Sequence, residues 1–151
     1  MNEKYKNESD IHNLVTSFED ATILRGEWTH AEHLIVALAF LTRYDLETAT
    51  NKMRSGLMNL LENGFKVDLS KEMPYHETLT IFWMTTLADH NACMHKTSLS
   101  EMVSEVLNRY DKNYPLRFYS RETLFSDRAR ACFVKADIQP SQAEPETIPA
   151  L

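Results

Sequence analysis

The sequence predicts an all-α fold, a single-domain bundle of five to six helices. Three glycines and five prolines among 151 residues leave room for few tight turns. Apolar residues recur at helical spacing in several segments, and no clear alternating strand pattern or internal repeat is present. A chain of this length, 43% hydrophobic and 25% charged, fits one domain with its own core. We place the helical domain at residues 11–138, between a flexible N-terminus at 1–10 and a disordered tail at 139–151.

The first two helices are predicted from apolar spacing and from a capping motif. Apolar residues follow a helical period over residues 11–24, a segment that is closed by an Arg-Gly pair. Thr29 then begins a second helix, which runs to about Tyr44. Thr29 as N-cap and Glu32 three residues later form a capping box, in which each side chain bonds the backbone N–H of the other residue.

Two further helices flank a connector. Residues 46–62 place apolar side chains on one side and polar side chains on the other, and Gly64 is the predicted C-cap. Residues 64–74 form the connector, which ends in a proline. The segment 76–89 is apolar nearly all round, a pattern that predicts a central, buried helix.

The last third of the chain combines one clear helix with short turns. Residues 90–97, H-N-A-C-M-H-K-T, are predicted to form an ordinary polar loop, since no second half with zinc-finger spacing accompanies their His and Cys residues. Ser98 and Glu101 form another capping box, and a clean amphipathic helix follows. Beyond it, Ser120 and Ser126 are predicted to cap short turns.

Composition limits the expected partners. The net charge is −6, and no basic stripe of the kind that phosphate backbones require is present, so nucleic acid is not expected. Neither a signal-peptide stretch nor a membrane span of about 18 apolar residues occurs. The two cysteines, Cys93 and Cys132, fit a reduced cytoplasmic protein. A small molecule is the expected partner, and a homo-oligomer is compatible with the sequence.

Two predicted helix starts carry histidine close to glutamate: W-T-H-A-E-H-L at 28–34 and P-Y-H-E-T-L-T at 74–80. His30 and His33 are three residues apart, so both project from neighbouring points on one, inward-facing side of a helix. The positive potential at a helix N-terminus disfavours imidazolium by about 0.3–1 kcal/mol. It therefore favours the neutral imidazole, which is the form that binds metal ions.

His76 and Glu77 begin the buried helix in the same way, on two different apolar stripes. If the two helix starts meet, His30, His33 and His76 supply three nitrogens with an open position, as in catalytic zinc sites. Replacing one nitrogen by Glu77 gives the two-histidine, one-carboxylate set of non-haem iron. Glu77 or Glu32 would be the general base for a bound water, although the capping box alone also explains Glu32. The predicted cofactor is a divalent metal, zinc before iron or manganese.

Aromatic and polar residues near these motifs are the candidate substrate-binding groups. Trp28 and Tyr75 each precede a histidine and are either hydrophobic staples or pocket walls. Arg121 would hold a carboxylate or a phosphate group, with Tyr119 and Ser120 beside it. For Ser120, a plain N-cap is the favoured alternative.

Four segments together resemble an uncharacterised family of small bacterial proteins. They are F-E-D-A-T at 18–22, W-T-H-A-E-H-L-I-V-A at 28–37, Y-H-E-T-L-T at 75–80 and F-Y-S-R-E at 118–122. The resemblance covers most of residues 18–134. It implies that the four segments belong to one site, which adds Tyr119 and Ser120 to the pocket. The family has no established activity, so the resemblance implies no reaction and no set of metal ligands.

Three hypotheses about function follow from these residues. The first is a small metal-dependent enzyme, with hydrolytic or lyase chemistry for zinc and oxygen chemistry for iron. The second is a non-catalytic module that captures a small anion, such as a carboxylate, where two helix N-termini meet. The third is a structural or partner-binding helical domain, in which the histidines contribute only to stability. We rank them in that order.

Overall fold

The computed structural model describes residues 3–93 and 98–138, and every regular element in this part of the chain is helical. The predicted all-α bundle is therefore confirmed. Five long helices form its body, and two single-turn helices follow them. In chain order they are α1 (Glu8–Glu19), α2 (His30–Arg43), α3 (Leu46–Asn59), α4 (Glu77–Ala92), α5 (Leu99–Arg109), α6 (Arg121–Leu124) and α7 (Asp127–Ala131).

Helix α2 lies at the centre of the bundle. It packs against α1, α3, α4 and α5, and each of its residues 34–40 is at most 1% exposed. Burying a large aliphatic or aromatic side chain contributes about 1.5–3 kcal/mol, so this uninterrupted apolar run accounts for much of the stability of the fold. Helix α4 packs on α2, α3 and α7. In the described part of the chain, none of the helices is long and apolar enough to cross a bilayer.

The side chain of Phe18 in α1 packs directly on Gly56 of α3. The ring of Phe18 fills the space above this glycine, where a Cβ atom would lie 2.3 Å from Phe18 Cε2. Phe18 also stacks on Trp28, with ring centroids 5.2 Å apart. Gly56 thus leaves room for the Phe18 ring of α1, which reaches Trp28, two residues before α2 begins.

The capping residues are confirmed, whereas several helix ends differ from the prediction. The capping boxes at Thr29 and Ser98 are present, and Ser120 and Ser126 cap α6 and α7. The predicted helix 11–24 is wrong at both ends. It begins at Glu8, because Asn7 Oδ1 accepts the N–H of the third residue of the helix, and it ends at Glu19.

Two predictions about helix ends in the middle of the chain are also wrong. Helix α3 ends at Asn59 and continues as a π-helical turn, Leu60–Gly64; the left-handed residue is Lys66 (φ 60°), so Gly64 is not a left-handed C-cap. Helix α4 continues through His90, which was assigned to a polar loop, because the buried ring of His90 packs on Tyr110 at 5.5 Å. The rest of that loop, residues 94–97, lies outside the described residues, as does the predicted tail at 139–151.

The C-terminal segment, defined as residues 132–138, lies against α4 and the turn before α6. Thr78 Oγ1 donates to the carbonyl of Cys132 (3.0 Å) and accepts the N–H of Val134 (3.1 Å). The Tyr119 hydroxyl donates to the carbonyl of Val134 at 2.5 Å. These bonds hold non-helical backbone on the surface of the bundle.

Candidate functional site

A cavity of about 370 Å³ lies between the starts of α2 and α4 and the end of α3. We call it the α2–α4 cavity. Its volume is within the range of small-molecule sites, which are typically apolar with a few placed polar groups. Most of its wall is aromatic or aliphatic, and the main apolar side chains are Trp28, Leu57, Leu60, Leu61, Phe65 and Leu79.

His33, in the first turn of α2, supplies a polar group to this wall. Its ring has no hydrogen-bond partner in the described residues, and its Nε2 atom is closed to water. Burial lowers the pKa of His33 to about 4, and the nearby charge of His30 adds to this shift. The imidazole is therefore neutral throughout the physiological pH range and keeps a nitrogen lone pair for a ligand.

His76 lines the same cavity but uses both of its ring nitrogens within the protein. As N-cap of α4, its Nδ1 accepts the N–H of Leu79 at 3.1 Å. Its Nε2 must then carry the proton, and it donates to the carbonyl of Leu124 at 2.6 Å. Burial lowers the pKa of His76, which favours this neutral tautomer.

His30 does not line the α2–α4 cavity. Its Nε2 donates to the carbonyl of Tyr110 at 3.1 Å, and its ring packs on Trp83 at 5.2 Å. It faces a second cavity, of about 590 Å³, beside α5 and Tyr5. The predicted three-histidine set is thus divided between two cavities, and only His33 and His76 share one.

The two glutamates predicted to act as general bases are engaged in other contacts. Glu32 is buried and accepts from the N–H and hydroxyl of Thr29 and from the hydroxyl of Tyr5, the last at 2.7 Å. Burial alone would raise the pKa of Glu32, but these hydrogen bonds outweigh it and lower the pKa. Glu77 accepts two bonds from Arg54, at 3.0 and 2.7 Å. That guanidinium is the main reason why the pKa of Glu77 is lowered.

The candidate substrate-binding residues divide into two groups. Trp28 and Tyr75 line the α2–α4 cavity. The cavity wall does not include Tyr119, Ser120 or Arg121. Tyr119 is buried against Phe82, with ring centroids 6.2 Å apart. Arg121 is exposed in the first turn of α6. Ser120 caps α6 and also donates from its hydroxyl to Asp137 at 2.7 Å. The segment at 118–122 therefore lies apart from this cavity.

The structure adds lining residues that the sequence did not reveal, Arg25 and Phe65 foremost. Arg25 begins a short 3₁₀ turn, Arg25–Glu27, immediately before Trp28. Its guanidinium lies 5.8 Å from the centre of the Phe65 ring. Arg25 belongs to the Arg-Gly pair from which the sequence predicts only the end of a helix. No sequence signal places Phe65 near α2, because 36 residues of helix, loop and π-helical turn lie between Trp28 and Phe65.

No group of three or more His, Cys, Asp or Glu side chains in residues 3–93 and 98–138 is arranged to hold a metal ion. The comparisons with known proteins provide no function to transfer: no protein-family model, no curated protein and no solved structure matches the chain. The function is therefore argued from the chemistry of the cavity.

Proposed function

We propose that the protein binds a small organic molecule in the α2–α4 cavity, with His33 as the residue that anchors it. The observation that carries this proposal is the His33 ring, which lies in the cavity wall without a hydrogen-bond partner in the described residues. Nε2 of His33 is closed to water, so a ligand would bond to the other ring nitrogen, Nδ1, which is not closed off and has no partner in the described residues. The apolar wall would bury the carbon atoms of the ligand.

The protonation state of His33 favours binding over proton transfer. A general base works best with a pKa near the working pH, whereas the pKa of His33 is about 4. Nδ1 of a neutral imidazole donates or accepts a single hydrogen bond, according to the tautomer. It therefore suits a ligand with a hydroxyl, amide or carbonyl group.

Filling the cavity tests this proposal. The probes are a set of small aromatic and aliphatic molecules, observed by NMR through the His33 ring resonances. We expect Leu61→Phe, which adds bulk to the wall, to abolish binding of the probes that shift those resonances in the parent protein. The matched control is Leu107→Phe, which adds the same bulk to the cavity that His30 faces. Failure of every probe to shift His33, or unchanged binding by Leu61→Phe, would contradict the proposal.

A second candidate is the metal-dependent enzyme that the sequence predicts with His30, His33 and His76 as ligands, here reduced to His33 and His76 because His30 faces the other cavity. Two imidazoles in the wall of one cavity, one of them without a partner, are the observation in its favour. Binding through Nε2 of His76 would require that atom to lose its proton and leave the carbonyl of Leu124. The remaining positions would be filled by water or substrate, with zinc preferred over iron or manganese.

Elemental analysis of protein purified without chelator or nickel tests the metal. The informative variant is His76→Asn, because asparagine is also a good N-cap and can accept the N–H of Leu79. If a metal is bound, near-stoichiometric zinc, iron or manganese in the parent will be lost in His76→Asn and His33→Gln. Equal metal content in the parent and both variants would contradict the hypothesis that His33 and His76 bind a metal ion.

A further inference from the structure

Most polar side chains in the wall of the α2–α4 cavity already have partners. Thr80 donates from its hydroxyl to the carbonyl of His76 at 3.1 Å, and the Tyr75 hydroxyl donates to Glu77 at 2.5 Å. Both ring nitrogens of His76 are also in use. Since buried polar groups that already have partners gain little from a new one, these three residues shape the cavity more than they bind.

The remaining polar groups are Arg25, His33 and the indole N–H of Trp28, and the first two differ in exposure. Arg25 is exposed, so its guanidinium lies at the mouth of the cavity. Within the described residues no carboxylate pairs with it, and its contact is with the face of Phe65. His33 is less exposed: its Nε2 is closed to water, and Nδ1 is the ring nitrogen that a ligand in the cavity could reach. The cavity thus has the guanidinium of Arg25 at its mouth, apolar side chains along its wall and the neutral imidazole of His33 further in.

The helix N-termini do not provide the anion site. At α2, the capping box occupies the N-terminus, and the Glu32 carboxylate already places a negative charge there. At α4, His76 accepts the N–H of Leu79, and Glu77 again supplies a carboxylate. An added anion would be repelled by the Glu32 carboxylate, and at α4 the Arg54 guanidinium is already paired with Glu77, whereas the guanidinium of Arg25 is available to attract it.

We infer that the ligand is an organic anion of one charge, with its acid group at Arg25, an apolar ring or chain along the wall, and a hydrogen-bonding group that reaches His33. This inference rests on the proposed function and adds the class of ligand. Arg25 is then the residue that determines specificity for acids. Because the guanidinium of Arg25 is partly in water, we expect the affinity for an acid to exceed that for its neutral analogue by a modest factor. This factor decreases as the salt concentration rises.

Three matched probes test the two ends separately. They are 4-hydroxyphenylacetate, its neutral amide 4-hydroxyphenylacetamide, and phenylacetate, which lacks the hydroxyl. We expect the acid to bind about fivefold more tightly than the amide at low ionic strength. Arg25→Gln should remove that preference, whereas Arg121→Gln, an exposed arginine outside the cavity, should retain it. His33→Phe should remove the preference for 4-hydroxyphenylacetate over phenylacetate.

Calorimetric dissociation constants separate the failure of the inference from that of the proposed function. Equal affinity for acid and amide, or a preference that survives Arg25→Gln, overturns the inference. If the amide still shifts the His33 resonances in that case, the small-molecule site itself stands. No binding of any of the three probes at millimolar concentration overturns the anion inference, and the wider probe set used with Leu61→Phe then decides the proposed function.

Discussion

The neutral imidazole of His33 couples the stability of the fold to pH. Its folded-state pKa of about 4 lies below the usual value near 6.5, so the unfolded chain binds more protons between these two values. Stability from this group is complete above pH 6.5 and is lost as the pH falls towards 4. Between pH 7.5 and 5 the loss amounts to roughly 2 kcal/mol.

We expect His33→Gln to reduce the pH dependence of unfolding by about that amount. Denaturant unfolding at pH 7.5 and pH 5 measures it, as the change in unfolding free energy between the two pH values. His12→Gln, on the exposed face of α1, is the control and should leave the pH dependence as in the parent. A parent protein and His33→Gln with equal pH dependence would show that His33 is not buried as a neutral group.

Single residues of the candidate site were predictable only in part. The sequence indicated that His33 and His76 face the interior near helix starts, and both line one cavity. It could not separate His30 from them, because that ring is held by the carbonyl of Tyr110, 80 residues away. Arg25 gave no signal, since its role depends on Phe65, another distant residue. Local patterns identify which residue types face inward, whereas their partners are set by tertiary packing.

At the scale of the helix, the two capping boxes provide a matched comparison. Glu32 in α2 is 3% exposed and bonds Tyr5 in addition to Thr29, whereas Glu101 in α5 is exposed and, among the described residues, its carboxylate bonds only Ser98. We expect Glu32→Ala to cost about 2–3 kcal/mol, because it leaves buried donors without an acceptor. Glu101→Ala should cost about 0.5–1 kcal/mol, as for an exposed cap.

Thermal and denaturant unfolding of the two variants measures the difference. Tyr5→Phe removes only the hydrogen bond from the Tyr5 hydroxyl to Glu32. It should lower the free energy of unfolding by about 1 kcal/mol, which is part of the loss expected for Glu32→Ala. Equal losses for Glu32→Ala and Glu101→Ala would mean that the bond between Tyr5 and Glu32 contributes nothing to stability.

The contact between α1 and α3 depends on the absence of a side chain at Gly56. Glycine to alanine in a helix normally adds up to about 1 kcal/mol of stability. At Gly56, however, the new methyl group would collide with the fully buried Phe18 ring, which would have to shift. We therefore expect Gly56→Ala to destabilise the protein by about 1–3 kcal/mol in chemical unfolding.

Gly26→Ala is the control for this substitution, since nothing lies within 4 Å of its added methyl group. Its effect should stay within about 0.5 kcal/mol. A stabilising effect of Gly56→Ala would show that the helix propensity outweighs the close approach, and that Phe18 has room to shift.

The presence of each long helix could be predicted from the sequence, whereas the residues at which the helices end could be predicted less well. Apolar spacing and caps indicated all five long helices, because both signals are local. The ends depend on contacts that lie elsewhere in the chain. Helix α4 extends to Ala92, into the predicted loop, because His90 Nδ1 bonds the hydroxyl of Tyr110 at 3.1 Å and its ring is buried there. Helix α1 stops early, and Ala21 adopts a left-handed conformation (φ 57°).

At the scale of the whole molecule, α4 connects the cavity with the C-terminal half of the chain. Its first turn supplies His76 to the cavity wall, and the same residue donates to Leu124 at the end of α6. Two residues further on, Thr78 holds the C-terminal segment. The start of α4 is thus the place where the cavity, α6 and residues 132–138 are connected.

Thr78→Val tests that connection, because it keeps the shape of the side chain and removes only its hydroxyl. The N–H of Val134 and the carbonyl of Cys132 would lose their bonds to a fully buried group, which should cost about 1–3 kcal/mol. Hydrogen exchange should then increase at the N–H of Val134, while the amides of α2 remain protected. Thr85→Val, at an exposed position of the same helix, is the control and should change neither quantity. If exchange at Val134 stays unchanged in Thr78→Val, the segment is held by its other bonds, from Tyr119 and Ile138, and α4 does not organise the C-terminal half.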